Sequence, residues 1–132
     1  MGFITKIDSL EDIDTFEVEK AQVFYQGDVP VPDTFSLRRV DNHHHLGIVG
    51  KNYRPIQMDE MIDVLDKASS QVGDIEHVGY TTSNGGRKAL IQSRLADNII
   101  VEGDEIIPYF YTLMDNSGMG SNKTIPSTER IT

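Results

Sequence analysis

The sequence predicts an α+β domain, in which an antiparallel sheet of about five to seven strands, joined as hairpins, packs on one principal helix. One stretch of the chain carries apolar residues at helical spacing. Several other stretches carry strand-like patterns bounded by turn residues. A length of 132 residues without cysteine fits a single domain over residues 1–132, with a core that needs no disulfide bonds.

Three strands are predicted in the first half of the chain. Residues 16–25 are strand-like, and a switch in the parity of their apolar positions near Lys20 indicates a β-bulge. Residues 34–40 and 46–50 form the next two strands, which pair as a hairpin across a histidine turn at 41–45. The second of this pair has little polar alternation, so we expect it to be a central strand covered on both faces.

The principal helix is predicted over residues 58–72. Its apolar side chains form one stripe, made of Met58, Met61, Ile62, Leu65, Ala68 and Val72. Acidic residues at positions 59 and 60 suit the positive end of the helix dipole. Gly73 supplies a left-handed C-terminal stop.

Three further strands are predicted after the helix. Residues 75–82 and 87–95 flank the turn Ser83-Asn84-Gly85-Gly86, where Asn-Gly tolerates positive φ. Alternation in the second strand places two residues inward and three outward: Ala89 and Ile91 inward, and Lys88, Gln92 and Arg94 outward. Residues 106–114 are apolar on both faces, which implies a covering helix or a partner subunit. Pro108 restricts this strand to an edge or a bulge.

The two ends of the chain are predicted to lie outside the regular framework. Residues 1–15 form an acidic arm that includes a short helix start with Ser9 as its cap. Residues 115–124 are rich in glycine, serine and asparagine, and the segment 115–132 is predicted to be mobile.

The net charge argues against binding of duplex DNA but leaves open binding by a local basic patch. With 12 basic and 21 acidic residues, the net charge of −9 does not favour duplex DNA through the overall field. A local basic patch can still bind phosphate, and turn amides and tyrosines can add contacts to phosphates and unpaired bases. The candidate binding residues are Arg87, Lys88, Arg94, Arg38, Arg39 and Tyr80. The simpler interpretation is a plain hairpin turn with tyrosines in the core.

A second candidate surface is acidic. Residues 1–30 hold seven acidic and two basic side chains, a net charge of −5. This region is either a solvated arm or an interaction surface that imitates nucleic acid towards a partner protein. The candidate interaction residues are Asp8, Glu11, Asp12, Asp14, Tyr109 and Tyr111.

No catalytic constellation stands out in the sequence. His43, His44 and His45 are adjacent, and alternation along an extended chain allows only two of them, such as His43 and His45, to share a metal. A catalytic zinc needs three convergent ligands, so these two are weak candidates and we expect no cofactor. The Gly-x-Ser-x-Gly motif of serine hydrolases is absent, and we expect a non-enzymatic protein.

One run of residues resembles a known family. Its most specific part is Leu46-Gly47-Ile48-Val49-Gly50-Lys51-Asn52-Tyr53-Arg54-Pro55-Ile56-Gln57. Residues 16–132 resemble the N-terminal portion of a protein family encoded by phages and plasmids, whose domain has no known function. Members of that family continue into a cysteine-containing stretch and further helices, so this chain is expected to correspond to their front portion. The resemblance implies a mobile-element protein of the bacterial cytoplasm and brings no activity with it.

These observations support three functional expectations. The first is a phage or plasmid accessory protein that binds single-stranded nucleic acid through the basic hairpin. The second is an acidic module that inhibits a host defence or nucleic-acid-binding protein. The third is a truncated structural or assembly domain. The expected partners are therefore a host or phage protein, a single strand or a second copy of the chain, and no membrane is expected because no apolar run is long enough to span one.

Overall fold

A computed structural model of the chain describes residues 4–118, 120 and 122–130. Within these residues the elements follow one another as β1 (Thr5–Lys6), a first 3₁₀-helix (Leu10–Asp12), β2 (Val18–Tyr25), β3 (Val29–Arg39), β4 (His45–Gly50), α1 (Met58–Val72), β5 (Ile75–Ser83), a second 3₁₀-helix (Asn84–Gly86), β6 (Lys88–Leu95), β7 (Ile99–Val101), β8 (Asp104–Asp115) and β9 (Lys123–Arg130). The predicted α+β class is confirmed. No helix in the described part of the chain is long and apolar enough to cross a membrane.

The strands divide between two antiparallel sheets. The larger sheet has the order β1-β5-β6-β8, with β7 and β9 also paired to β8, and the smaller sheet has the order β2-β3-β4. Both predicted hairpins are confirmed, as β3–β4 across the histidine turn and β5–β6 across the glycine turn. The short β7 continues the line of β6 along β8, so these two strands and β8 form one long, interrupted hairpin.

The core lies between one face of the larger sheet and a cover made by α1, the smaller sheet and the N-terminal segment. Leu37 and Leu46 of the smaller sheet, Met58 of α1 and Ile91 of β6 are almost fully buried in it. The inward orientation predicted for Ala89 and Ile91 is confirmed. The acidic N-terminal segment also contributes three buried apolar residues, Ile7, Leu10 and Ile13.

Helix α1 has the predicted bounds, and its first two turns bury the predicted stripe, but Ala68 and Val72 at its C-terminal end are exposed. Met58 is buried, and Met61, Ile62 and Leu65 pack against the core. The helix ends at Gly73, which has a φ of 73° and donates its N–H to the carbonyl of Ser69 over 2.8 Å. The residue before the helix, Gln57, contacts β2 with its side-chain amide, accepting from the N–H of Val18 over 2.9 Å and donating to its carbonyl over 2.7 Å.

The position predicted for β4 is wrong. It is an edge strand of the smaller sheet, and its Ile48 is 49% exposed. Its neighbours Leu46 and Gly47 are nevertheless buried. Gly47 is buried because the backbone carbonyl of Ser117 occupies the space that a Cβ would need. The low polarity of this strand therefore comes from a loop packed on it and not from a strand on each side.

Register shifts differ from the predicted bulge. In β2 the shift lies between Gln22 and Phe24 and not near Lys20. Lys20 stays in the ladder, and its ammonium donates to the carbonyls of Lys51 and Tyr53. Two further shifts, between Leu37 and Arg38 and between His77 and Gly79, are not predicted by the sequence.

The sequence predicts Pro108 at a sheet edge or a β-bulge, but it lies inside the larger sheet at a gap between two neighbouring strands. On one side β8 pairs with β7 up to Ile106 and with β6 from Tyr109 onward, which leaves Pro108 between the two ladders. The missing N–H is therefore tolerated there. On its other side β8 pairs with β9, so residues 123–130 form a strand within the segment predicted to be mobile. Its mobility stays a prediction, and residues 119, 121, 131 and 132 lie outside the described part.

The close approach at Gly47 predicts a loss of stability on adding one methyl group. Gly47→Ala is expected to lower the free energy of unfolding by about 1–3 kcal/mol, because the backbone of Ser117 must move. Gly50→Ala in the same strand is the matched control, since its Cβ would lie 3.9 Å from the Asp33 carbonyl oxygen, at ordinary van der Waals distance. Urea unfolding measures both variants, and equal stabilities would contradict the close packing of Gly47 against Ser117.

His77 predicts a dependence of stability on pH. It is half-buried on the core side of β5, with Nδ1 2.7 Å from the hydroxyl of Ser93, and burial lowers the pKa of His77 below its ordinary 6.5 against the opposing charge of Asp66. The unfolded chain therefore binds more protons than the folded one below pH 6.5. The free energy of unfolding is expected to fall as the pH drops through 6.5 and to level off below the lowered pKa.

Urea unfolding between pH 7.5 and 5 measures this effect, with His77→Gln flattening part of the profile. His43→Gln, which changes an exposed histidine, is the control and keeps the wild-type slope. A wild-type slope in His77→Gln would assign the pH dependence to other groups.

Candidate nucleic-acid interface

The face of the larger sheet that points away from α1 has no described element packed over it. Its residues follow from the strand register, because side chains alternate between the two faces. One row across the sheet joins Leu90, Leu113 and Lys123, and the next joins Lys6, Gly79, Gln92, Tyr111 and Ile125. We call this surface the outer face; its polar, aromatic and apolar side chains are Lys6, Lys88, Leu90, Gln92, Arg94, Tyr109, Tyr111, Leu113, Lys123 and Ile125.

Two tyrosines stand side by side at the centre of the outer face. Tyr109 and Tyr111 are two residues apart on β8, which places their side chains on the same face about 7 Å apart. Both are half-buried. The side-chain amide of Gln92 lies 3.4 Å from the hydroxyl of Tyr111, and Arg94 is directly opposite Tyr109.

Cations lie on both sides of this tyrosine pair. Lys6 stands at the β1 edge and Lys123 on β9, while Lys88 and Arg94 project from β6 between them. Arg94 donates to the side-chain oxygen of Asn98 over 2.9 Å, which holds its guanidinium near the sheet. Arg87 is exposed immediately before Lys88, at the end of the glycine turn.

Three described carboxylates share the outer face with these cations: Glu76, Asp115 and Glu105, of which Glu105 accepts from the side-chain amide of Asn98 over 3.0 Å. Glu76 lies opposite Arg94, and Asp115 lies opposite Lys88. The carboxylate of Asp115 accepts from the backbone N–H of Ser117 over 2.9 Å and from its hydroxyl over 2.5 Å. Those bonds direct Asp115 towards its own loop, so its charge is partly satisfied there.

Arg38 and Arg39 are not brought to the outer face. Both belong to β3 of the smaller sheet, and Arg38 pairs with Glu19 over 2.6 Å. Arg39 donates to both carboxylate oxygens of Asp41, over 2.9 and 2.7 Å. Hydrogen bonding between these two groups raises the pKa of Arg39 and lowers the pKa of Asp41.

Arg39 also holds the glycine turn against the smaller sheet. Its guanidinium lies 4.0 Å from the centre of the Phe16 ring and donates to the carbonyl of Gly85 over 3.1 Å. Gly86 is buried against Phe16, and its carbonyl accepts from the side-chain amide of Asn116 over 2.9 Å. The turn is therefore a fixed junction between the two sheets.

Tyr80 faces the core and not the outer face. The register shift in β5 sets it opposite the buried Ile91, and its hydroxyl donates to the carbonyl of Asp14 over 3.2 Å. Burial, followed by the charge of Asp14, raises the pKa of Tyr80. Of the predicted basic and aromatic set, the outer face thus collects Lys88 and Arg94, with Arg87 beside them.

The predicted acidic surface is also divided by the fold. The carboxylate of Asp12 accepts from the backbone N–H groups of Asp8 and Ser9 over 2.9 and 3.2 Å, so Asp12 caps the N-terminal end of the first 3₁₀-helix. Asp14 lies beside Tyr80, and Glu11 lines a groove next to α1. Tyr109 and Tyr111 stand on the opposite side of the larger sheet from this groove.

The histidine turn is held by local contacts. His43 has a φ of 60°, and the ring of His44 fills the space beside Gly85. Nδ1 of His45 lies 2.7 Å from the hydroxyl of Ser36. No three histidine, aspartate or glutamate side chains converge as metal ligands in the part of the chain that the structure describes.

Sequence reasoning missed several members of the outer face. Leu90, Leu113 and Ile125 lie at alternate positions of their strands, and this alternation was the available signal. Lys6 and Lys123 gave no signal, because a two-residue strand and a strand beyond a glycine-rich loop have no recognisable pattern.

The fold and site together define an α+β protein with one covered and one uncovered sheet face. Residues 45–131 match the model of a family described as a domain of unknown function, DUF932, and the chain belongs to that family. No curated protein and no solved structure matches the chain.

The contacts of Arg39 predict that replacing this arginine by lysine lowers the stability of the fold. Arg39→Lys is expected to lower the free energy of unfolding by about 1–2 kcal/mol, because lysine keeps the charge but loses the paired bonds to Asp41 and the planar contact with Phe16. Arg38→Lys is the matched control, and a change below about 0.5 kcal/mol is expected because the side chain of Arg38 is more exposed than that of Arg39. Urea unfolding compares them, and equal losses would remove the special role of Arg39.

Proposed function

We propose that this chain binds single-stranded nucleic acid on its outer face, as a non-enzymatic accessory protein of a phage or plasmid in the bacterial cytoplasm. The observation that carries the binding proposal is the pair Tyr109 and Tyr111, side by side on an uncovered sheet face with cations on both flanks. The genetic setting rests on the sequence resemblance alone.

The spacing of the tyrosines suits unpaired bases. Neighbouring side chains on one face of a strand are about 7 Å apart, roughly twice the thickness of a stacked base. Bases of a single strand can spread to this distance and stack on successive rings, which contributes about 1–3 kcal/mol per base. Bases inside a duplex are stacked on one another and do not present their faces to the rings.

The flanking cations suit the backbone of a strand that crosses the sheet. Lys6 and Lys123 mark the two sides of the face, and Lys88 and Arg94 lie between them. Four phosphate contacts predict that the logarithm of the affinity falls with the logarithm of salt concentration with a slope of about −3. The net charge of −9 opposes binding at a distance, so we expect weak to moderate affinity that depends strongly on salt.

Fluorescence anisotropy of a labelled oligothymidylate tests the proposal at 20 and 150 mM salt. Tyr111→Leu is expected to weaken binding about fivefold or more while keeping an apolar side chain on the face. Lys88→Gln combined with Arg94→Gln is expected to weaken it further and to make the salt slope shallower by about one to two. Unlabelled duplex of equal length should compete poorly.

Matched controls separate the site from general charge and aromatic effects. Tyr25→Leu changes an exposed tyrosine at the end of β2, and Lys51→Gln with Lys67→Gln removes two cations away from the outer face. Both controls should bind as the wild type does. An absence of binding at 20 mM salt, or equal losses in the controls, would overturn the proposal.

A further inference from the structure

A groove of about 640 Å³ lies between the first 3₁₀-helix and α1, outside the outer face. Its floor is apolar, since Leu10 and Ile13 are buried and Ile62 is half-buried. The volume lies in the range of ordinary ligand-binding clefts. Leu10, Ile13 and Ile62 also belong to or pack against the core, and the groove lies beside them.

The rim of this groove is acidic on both walls. Glu11 stands on the 3₁₀-helix side, and Asp59, Asp63 and Asp66 stand on α1. The three aspartates are four and three residues apart, so they share one face of the helix. No lysine or arginine lines the groove within the described residues.

Part of this negative charge is not compensated. Asp63 pairs with Lys67 over 2.9 Å, but Glu11, Asp59 and Asp66 take part in no ion pair in the part of the chain that the structure describes. Like charges at this spacing destabilise a helix. Asp59 lies in the first turn of α1, where the helix dipole stabilises it, so the negative charge left without a nearby partner is that of Glu11 and Asp66.

We infer that the groove docks a cationic segment of another protein, with one aliphatic side chain between two lysines or arginines. The apolar floor accepts the aliphatic side chain, and the carboxylates on the two walls accept the flanking cations. From Asp59 to Asp66 the helix rises about 10 Å, which equals about three residues of extended chain. The groove repels nucleic acid, so this site acts independently of the proposed function.

A labelled peptide with a central leucine flanked by arginines, and blocked termini, provides the probe. It is expected to bind the full chain at low salt and to shift the amide resonances of residues 10–15 and 59–66. Replacing the leucine by serine, or the arginines by glutamine, should each weaken binding at least fivefold. Shifts confined to another surface would overturn the inference.

Two double variants of equal net charge decide whether the groove or the overall charge attracts the peptide. Glu11→Gln with Asp66→Asn is expected to weaken binding at least fivefold without lowering the unfolding temperature, because repulsion is removed. Asp28→Asn with Glu102→Gln changes two exposed residues elsewhere and should weaken it less than twofold. Equal effects of the two variants, or a dimer of the chain that excludes the peptide, would contradict the inference.

Discussion

Arg39 makes three different kinds of contact at the place where the two sheets of this protein meet. Its guanidinium lies over the ring of Phe16, pairs with Asp41 and donates to the carbonyl of Gly85 in the turn that connects β5 and β6. A lone cation at a half-buried site would lose hydration, and these contacts offset that loss. The position of the glycine turn, and with it the start of β6, depends on this arrangement.

The two faces of the larger sheet differ in what covers them. The smaller sheet and α1 lie on the inner face, where Ile91 and Met114 are almost fully buried. The outer face keeps half-buried tyrosines and leucines without a described cover. The negative charge of the chain is unevenly placed as well, with one concentration along the groove beside α1 and the cations of β6 on the opposite side.

The sequence predicted the elements better than the surfaces they form. The apolar spacing of α1 identified its bounds, and alternation in β6 assigned Ile91 inward and Arg94 outward, because both patterns are local. The face of the sheet on which Tyr80 lies could not be predicted, since one extra residue between His77 and Gly79 moves the later side chains of β5 to the opposite face. Two partners of Arg39, Phe16 and Gly85, are distant in the chain, so no spacing in the sequence predicts these contacts.

The contact between Gln57 and β2 has a consequence for association between chains. The outer edge of β2 exposes backbone groups that another strand could use for intermolecular pairing, a common route to aggregation. The side chain of Gln57 bonds both the N–H and the carbonyl of Val18 and thus imitates one residue of a neighbouring strand. A foreign strand must displace this amide before it can extend along β2 from Val18, so the link that fixes the start of α1 also protects an edge of the smaller sheet.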